Sequence, residues 1–259
     1  MREKSAGVET SGIAGITGHY REHLPPPGLQ AQFQCLWSSA LSDGQASDVA
    51  VMPDGCVDVV WRADRLLVVG PDIVAAHPDL APGARVMGAR FQPGAARGWL
   101  GLPMSEIVGR EVALADLLGV RGRDFAQRME DACSPGARAQ VFQAQLIAAS
   151  GNLPGADRSA RETFHLAARG LGAQRMRERL GISQRSLLRH SRDHFGYGPK
   201  TLERILRLQR LMDLARADHS AGLALLAVDA GYADQSHLAR EVRALCGMTA
   251  TALLAQIRS

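Results

Sequence analysis

Between residues 29 and 92, apolar positions recur every second residue or in short runs closed by turn residues. In QFQCLW, Phe33, Cys35 and Trp37 alternate with Gln32 and Gln34, the period of a half-buried strand. DVAVM and CVDVVW flank Pro53-Asp54-Gly55, a compact turn tripeptide, which predicts a hairpin over 48–62. Asp64-Arg65 then turns the chain into LLVVG, and RVMGARF follows a Pro-containing loop. Short strands at these spacings predict an antiparallel meander, rolled or sandwiched. Past Pro93-Gly94 the period lengthens. SEIVGREVALADLLG, RGRDFAQRMEDA and ARAQVFQAQLIAA space Leu, Val, Ile and Phe by three or four, as helices packed on one side do. SGNLPGAD, at 150–157, has no period and marks a linker. The expected class is α+β. A flexible leader at 1–22 precedes a β-rich sensor or dimerisation domain with C-terminal helices at 23–150, then a linker at 151–157 and an all-α domain at 158–259.

The all-α part contains a repeat. GISQRSLLRHSRDHFGYGP (181–199) aligns with GYADQSHLAREVRALCGMTA (231–250) at an offset of 51. Leu187 then falls on Leu238, Arg189 on Arg240, Arg192 on Arg243 and Gly196 on Gly247. Each copy follows a short helical stretch, QRMRERL or LALLAVDA, which gives helix, Gly-containing turn, helix. Leu180, Ile182, Leu187 and Phe195 form the expected inner face of the first copy. Leu226, Tyr232, Leu238, Val242 and Leu245 form that of the second, and Ser183 and Asp234 stand at the N-cap positions.

The outward positions are Gln184, Arg185, Ser186 and Arg189, then Gln235, Ser236, Ala239 and Arg240. Arg pairs bidentately with guanine and Gln with adenine, so these side chains suit base edges in a major groove. Arg192, Arg243 and Lys200 are placed for phosphates. Between the copies, KTLERILRLQRLMDLARA (200–217) carries Leu202, Ile205, Leu208, Leu211 and Met212 along one stripe. As one helix, its 18 residues span about 27 Å, enough to hold two readers in successive grooves about 34 Å apart. A solvated helical bundle accounts for one such unit; two with matched arginines are harder to explain that way.

Charge supports this reading. Residues 157–259 carry 17 Lys+Arg against 10 Asp+Glu, whereas the remainder carries 13 against 16. An acidic first part joined to a basic second part suggests a sensor fused to a polyanion binder. The 46% hydrophobic and 22% charged fractions are those of a soluble globular protein, no apolar run reaches the length of a membrane span, and the N-terminus lacks a secretory core. The expected location is the cytoplasm. Cys35, Cys56, Cys133 and Cys246 lie far apart without a CxxC pair, so isolated buried thiols are the default; a Cys35–Cys56 pair on adjacent strands stays open.

The second domain resembles the DNA-binding domain of AraC/XylS-type transcriptional regulators. The resemblance covers about 160–256 through GISQRSLLRH, HFGYGPK, the connecting helix and GYADQSHLAR. Tyr232, Asp234, Gln235, Ser236, Leu238 and Arg240 fit the family's second-unit pattern. Ser191 and Val242 stand where the family usually buries Phe, with Phe195 available to fill the first gap, and Ala250 replaces a usual Pro. The front half is similar, more loosely, to the N-terminal domain of a subset of these regulators, through PDGCVDVVW, VVGPD, GARFQPGAARGWLG and PMSEIVGREVALADLLG. The resemblance implies a cupin-like barrel that binds an effector or mediates pairing. It also implies double-stranded promoter DNA and RNA polymerase as partners, an unidentified small-molecule effector and a possible homodimer, with activation and repression both open.

Other groups invite a role. Trp37, Asp58, Trp61, Arg90 and Phe91 are candidates for an effector pocket in which Arg90 grips an anion, although core packing accounts equally for the aromatics. Asp54 and Asp58 form a carboxylate pair, but they flank a turn where Asp commonly bonds locally. His190 and His194 have the i, i+4 spacing of helical metal ligands, yet no third ligand is evident in sequence. No catalytic residue, cofactor or metal is expected, and the phosphate-loop, zinc-protease and hydrolase signatures are absent. Two rival readings remain: a cupin-like enzyme or small-molecule binder with accessory helices, and basic helices that dock on an acidic protein.

Overall fold

The computed structural model describes residues 12–13, 19–41, 49–151 and 153–258. Its strands are β1 (Gly12–Ile13), β2 (Arg21–His23), β3 (Phe33–Ala40), β4 (Val49–Ala50), β5 (Asp58–Arg62), β6 (Arg65–Val69), β7 (Arg85–Phe91) and β8 (Glu111–Ala113). Six of them form one antiparallel sheet in the order β2-β3-β7-β5-β6-β8, and β1 pairs in parallel with β4. The β-rich, antiparallel character expected of the front half is present. The leader expected at 1–22 is shorter at its C-terminal end, because Arg21 and Glu22 pair with Ser38 and Trp37. Residues 1–11 and 14–18 lie outside the described residues.

The hairpin expected over 48–62 is displaced. β4 pairs with β1, while β5 turns back into β6 through Ala63-Asp64, both left-handed at φ 47° and 55°. Two consecutive residues at positive φ give a turn whose twist matches that of the flanking strands. Pro53-Asp54-Gly55 instead carries the chain between sheets. The Cys56 amide donates to Asp54 Oδ1 at 2.9 Å, an Asx turn that closes locally without folding one strand onto the other.

The helices of the front half are α1 (Ala96–Leu100), α2 (Leu114–Leu118), α3 (Val120–Asp131) and α4 (Pro135–Ser150). SEIVGREVALADLLG reads as helical but is broken. Gly109 adopts φ 63°, and Glu111–Ala113 complete the open edge of β6 before α2 begins. Strand alternation sends Phe33, Val59, Trp61 and Phe91 into one apolar cluster with Trp99 of α1, Phe125 of α3 and Phe142 of α4. Trp99 closes it by donating from Nε1 to the buried Ser150 Oγ at 3.1 Å. Gln32, an outward position in the two-residue period, is buried just before β3 and bonded to the Leu153 carbonyl.

The remaining helices are α5 (Arg158–Ala168), α6 (Ala173–Leu180), α7 (Gln184–Phe195), α8 (Pro199–Ala217), α9 (Leu223–Ala230), α10 (Gln235–Cys246) and α11 (Ala250–Arg258). They pack around α8, whose Leu202, Ile205, Leu208 and Leu211 are fully buried. β4 and the segment after it contribute Ala50 and Met52 to this second core, and the Ala75 amide donates to the Leu245 carbonyl at 2.7 Å. All four cysteines are free. Cys35 and Cys246 are buried, but Cys56 is half-buried and Cys133 exposed, so only two fit the buried-thiol expectation.

Candidate nucleic-acid interface

Local chemistry fixes both helix-turn-helix units. Gly181 and Gly231 end α6 and α9 in the left-handed conformation, where a side chain would be strained. Two residues on from Gly181, Ser183 Oγ accepts the Ser186 amide at 3.1 Å and starts α7. Asp234 Oδ1 likewise accepts the His237 amide at 2.6 Å and starts α10. Leu187 and Phe195 anchor α7 from beneath, with Leu180 and Ile182 half-buried; Met176, an inner residue the sequence pattern passed over, is fully buried between them. Leu226, Tyr232, Leu238, Val242 and Leu245 are all buried in the second unit.

The three departures from the family pattern have local explanations. Ser191 is buried and donates to the Tyr197 carbonyl at 2.8 Å, while Phe195 packs near Phe164. Val242 is fully buried. Ahead of Ala250, Thr249 Oγ1 accepts the Ala252 amide, so a side-chain cap opens α11 where Pro is usual.

Gln184, Arg185, Arg189, Arg192, Lys200, Gln235, Ser236, Ala239, Arg240 and Arg243 are all exposed. Ser186 is not, because it is half-buried and its hydroxyl accepts from Ser183 Oγ at 2.9 Å. The arginines divide into two groups. Those of α8 are engaged: Arg204 with Glu241 of α10, Arg207 with Glu203, and Arg216 with Asp213. Arg210 donates to the carbonyls of Ala168 and Ala230, the last residues of α5 and α9. Arg185, Arg189, Arg192, Arg240 and Arg243 make no ion pair among the described residues. They crown the two capped helices as free cations, as a phosphate- and base-reading surface requires.

Residues 176–256 match a helix-turn-helix domain, and residues 21–113 match a domain of unknown function (DUF6597). This is an AraC-type helix-turn-helix domain, and the chain is a DNA-binding transcription regulator. No curated protein matches the chain. Among solved structures, ToxT from Vibrio cholerae O395 is similar at 9% identity and a TM-score of 0.44, covering 86% of this chain and 97% of its own. An apo variant of ToxT from Vibrio cholerae strain SCE256 gives 10% identity and a TM-score of 0.44, with coverage of 93% and 99%. Both are distant.

The AraC-type domain meets the sheet across a cavity of about 540 Å³. One wall is the face of β3, β5 and β7 opposite the front-half core; the other is α8, through Gln209, Met212, Asp213 and Arg216. Of the five sequence candidates for the pocket, Trp37, Asp58 and Arg90 line it. Trp61 and Phe91 do not. Each lies an odd number of residues along its strand from a lining position, so each points into the front-half core, where both are buried. Gly88 makes room for Trp37, since a Cβ there would sit 2.4 Å from the indole.

Arg90 cannot grip an anion in this arrangement. Its Nε and Nη2 donate to the two oxygens of Asp58 at 3.2 and 3.3 Å, and Nη2 also lies 3.1 Å from Asp54. Trp37 Nε1 completes the set by donating to Asp58 Oδ2 at 3.1 Å. The two carboxylates that the sequence offers as a catalytic pair are thus joined by one guanidinium, which Asp58 holds firmly protonated. Six carboxylates line the cavity against three arginines: Glu22, Asp54, Asp58, Asp72, Glu111 and Asp213. Arg62 is occupied by Glu111 and Arg216 by Asp213. Asp72 has no such partner among the described residues, and burial, aided by Asp54 and Glu111, pushes it up to about 6.

Proposed function

We propose that the regulator reads DNA with α7 and α10 and is controlled by a small, positively charged effector in the cavity between the sheet and α8. The observation that carries this is the double role of α8. Its Met212 and Asp213 wall the cavity, while its Leu202, Leu208 and Leu211 lie in the core shared with both readers. A ligand that presses on α8 acts on the helix joining the two units, and any preference for one arrangement shifts the population between arrangements. The excess of carboxylates, with Trp37 beside them, suits a cation with an apolar body.

In this reading Arg189, Gln235 and Arg240 contact bases, with Gln184, Arg185, Ser236 and Ala239 beside them, and Arg192, Arg243 and Lys200 hold phosphates. RNA polymerase as a partner, pairing of two copies and a cytoplasmic location are proposed from the regulator class alone. Among the described residues no helix is long and apolar enough to cross a membrane. A regulatory rather than catalytic role for the cavity is supported by the occupation of its three arginines and of Asp58 in structural pairs.

The test is a screen of organic amines for a change in DNA affinity, repeated with Ser39→Trp, which fills the cavity from β3. The variant is expected to keep DNA binding and lose the response; a response that survives removes the cavity from the account. Affinity for the amine should rise as pH increases through about 6, because Asp72 loses its proton there and adds negative charge to the wall. Asp72→Asn should flatten that rise, whereas an unchanged profile would assign it to another group.

A further inference from the structure

The sequence offers His190 and His194 as a pair without a third ligand. The fold supplies one. Asp157, at the N-cap of α5, comes to the same place, and the ligand atoms of the three residues lie within 4.8 Å of one another. Asp157 Oδ1 is committed to α5, accepting from the Ala160 amide and Ser159 Oγ at 2.8 Å each. Oδ2 makes no hydrogen bond among the described residues. The two imidazoles, one turn apart on α7, stand with their ring centres 4.6 Å apart.

His194 is the decisive group. It is 9% exposed, and its Nδ1 is buried without a hydrogen-bond partner among the described residues. A buried nitrogen left unpaired costs stability unless something occupies its lone pair.

We propose that Asp157, His190 and His194 form a binding site for a divalent first-row transition ion of the zinc type, joining the start of α5 to the first recognition helix. Two imidazoles and one carboxylate suit such an ion better than magnesium or calcium, which take oxygen ligands. Tetrahedral coordination at about 2.1 Å places ligand atoms about 3.4 Å apart, so modest side-chain rotations close the present spread. Three protein ligands leave the fourth position to water. Asp157 also ends the segment that follows α4. A bound ion would therefore fix α7 against the junction between the two halves of the chain, separately from the cavity on α8.

The test is a titration of the metal-free, full-length chain with Zn(II), and with Co(II) for its visible absorption. One equivalent should bind, with the cobalt spectrum of a four-coordinate site, and the bound ion should raise the melting temperature. His190→Ala should weaken binding by at least about 100-fold, since loss of an outer-shell partner alone costs 10- to 100-fold. Asp157→Asn retains a capping side chain and so should fold normally while binding at least about tenfold more weakly. Absence of saturable binding at one equivalent overturns the proposal. So does binding of equal strength in Asp157→Asn, which decides the matter if His190→Ala does not fold.

Discussion

Arg240→Ala is expected to lose about 1–3 kcal/mol at its preferred DNA site, roughly a 5- to 150-fold drop in affinity, while binding to unrelated DNA barely changes. The reason lies in what surrounds the side chain. Arg240 is exposed on α10, makes no ion pair among the described residues, and stands over a face anchored by Leu238 and Val242. A guanidinium already held by protein carboxylates would have to break those pairs before reading a base; this one does not. Arg243, one turn further along, provides the control. Arg243→Ala should weaken binding about equally on all sequences and lower the salt slope by about one unit, as loss of a phosphate contact does. Competition titrations at several salt concentrations separate the two. Equal losses on every sequence for Arg240→Ala would reassign it to the backbone.

Arg210→Met is expected to cost about 2–4 kcal/mol of stability, although Arg210 does not line the cavity. Its guanidinium serves the final carbonyls of two helices, Ala168 of α5 and Ala230 of α9. Helix C-termini leave carbonyls without internal partners, and a cation there also meets the negative end of each helix dipole. One side chain thereby ties a helix beside the first unit to the bracing helix of the second. Its removal leaves both carbonyls unserved and loosens the relative placement of the readers. Chemical denaturation should show the loss. DNA binding by the folded fraction should weaken at two-unit sites more than at isolated half-sites. If both fall equally, Arg210 stabilises the domain without setting its geometry.

The two helix-turn-helix units are legible in sequence because everything that defines them is local. The period of Leu187, Leu238 and Val242, the caps Ser183 and Asp234 and the arginines at matching positions all lie within single helices repeated 51 residues apart. The cavity was only half legible. Alternation places Asp58 and Arg90 on one sheet face and Trp61 and Phe91 on the other, but without strand pairing the two faces cannot be assigned. Nothing in sequence brings α8 over that face, or places Asp54 so as to neutralise Arg90. The displaced hairpin has a similar origin. Pro-Asp-Gly was correctly a turn, yet its local Asx bond left the pairing partner of β5 to be chosen by tertiary packing. Asp157 joins His190 and His194 across more than thirty residues, a distance at which spacing carries no signal.

The proposal of two readers held on one rod makes a demand that a single reader does not. Footprinting of the natural chain on a site selected from random DNA tests it most directly. Protection should cover two successive major grooves on one face of the duplex, over about 20 base pairs with centres about one helical turn apart. Arg189→Ala and Arg240→Ala should each relax base choice in a different groove. Protection confined to one groove, or both substitutions acting on the same bases, would contradict the account.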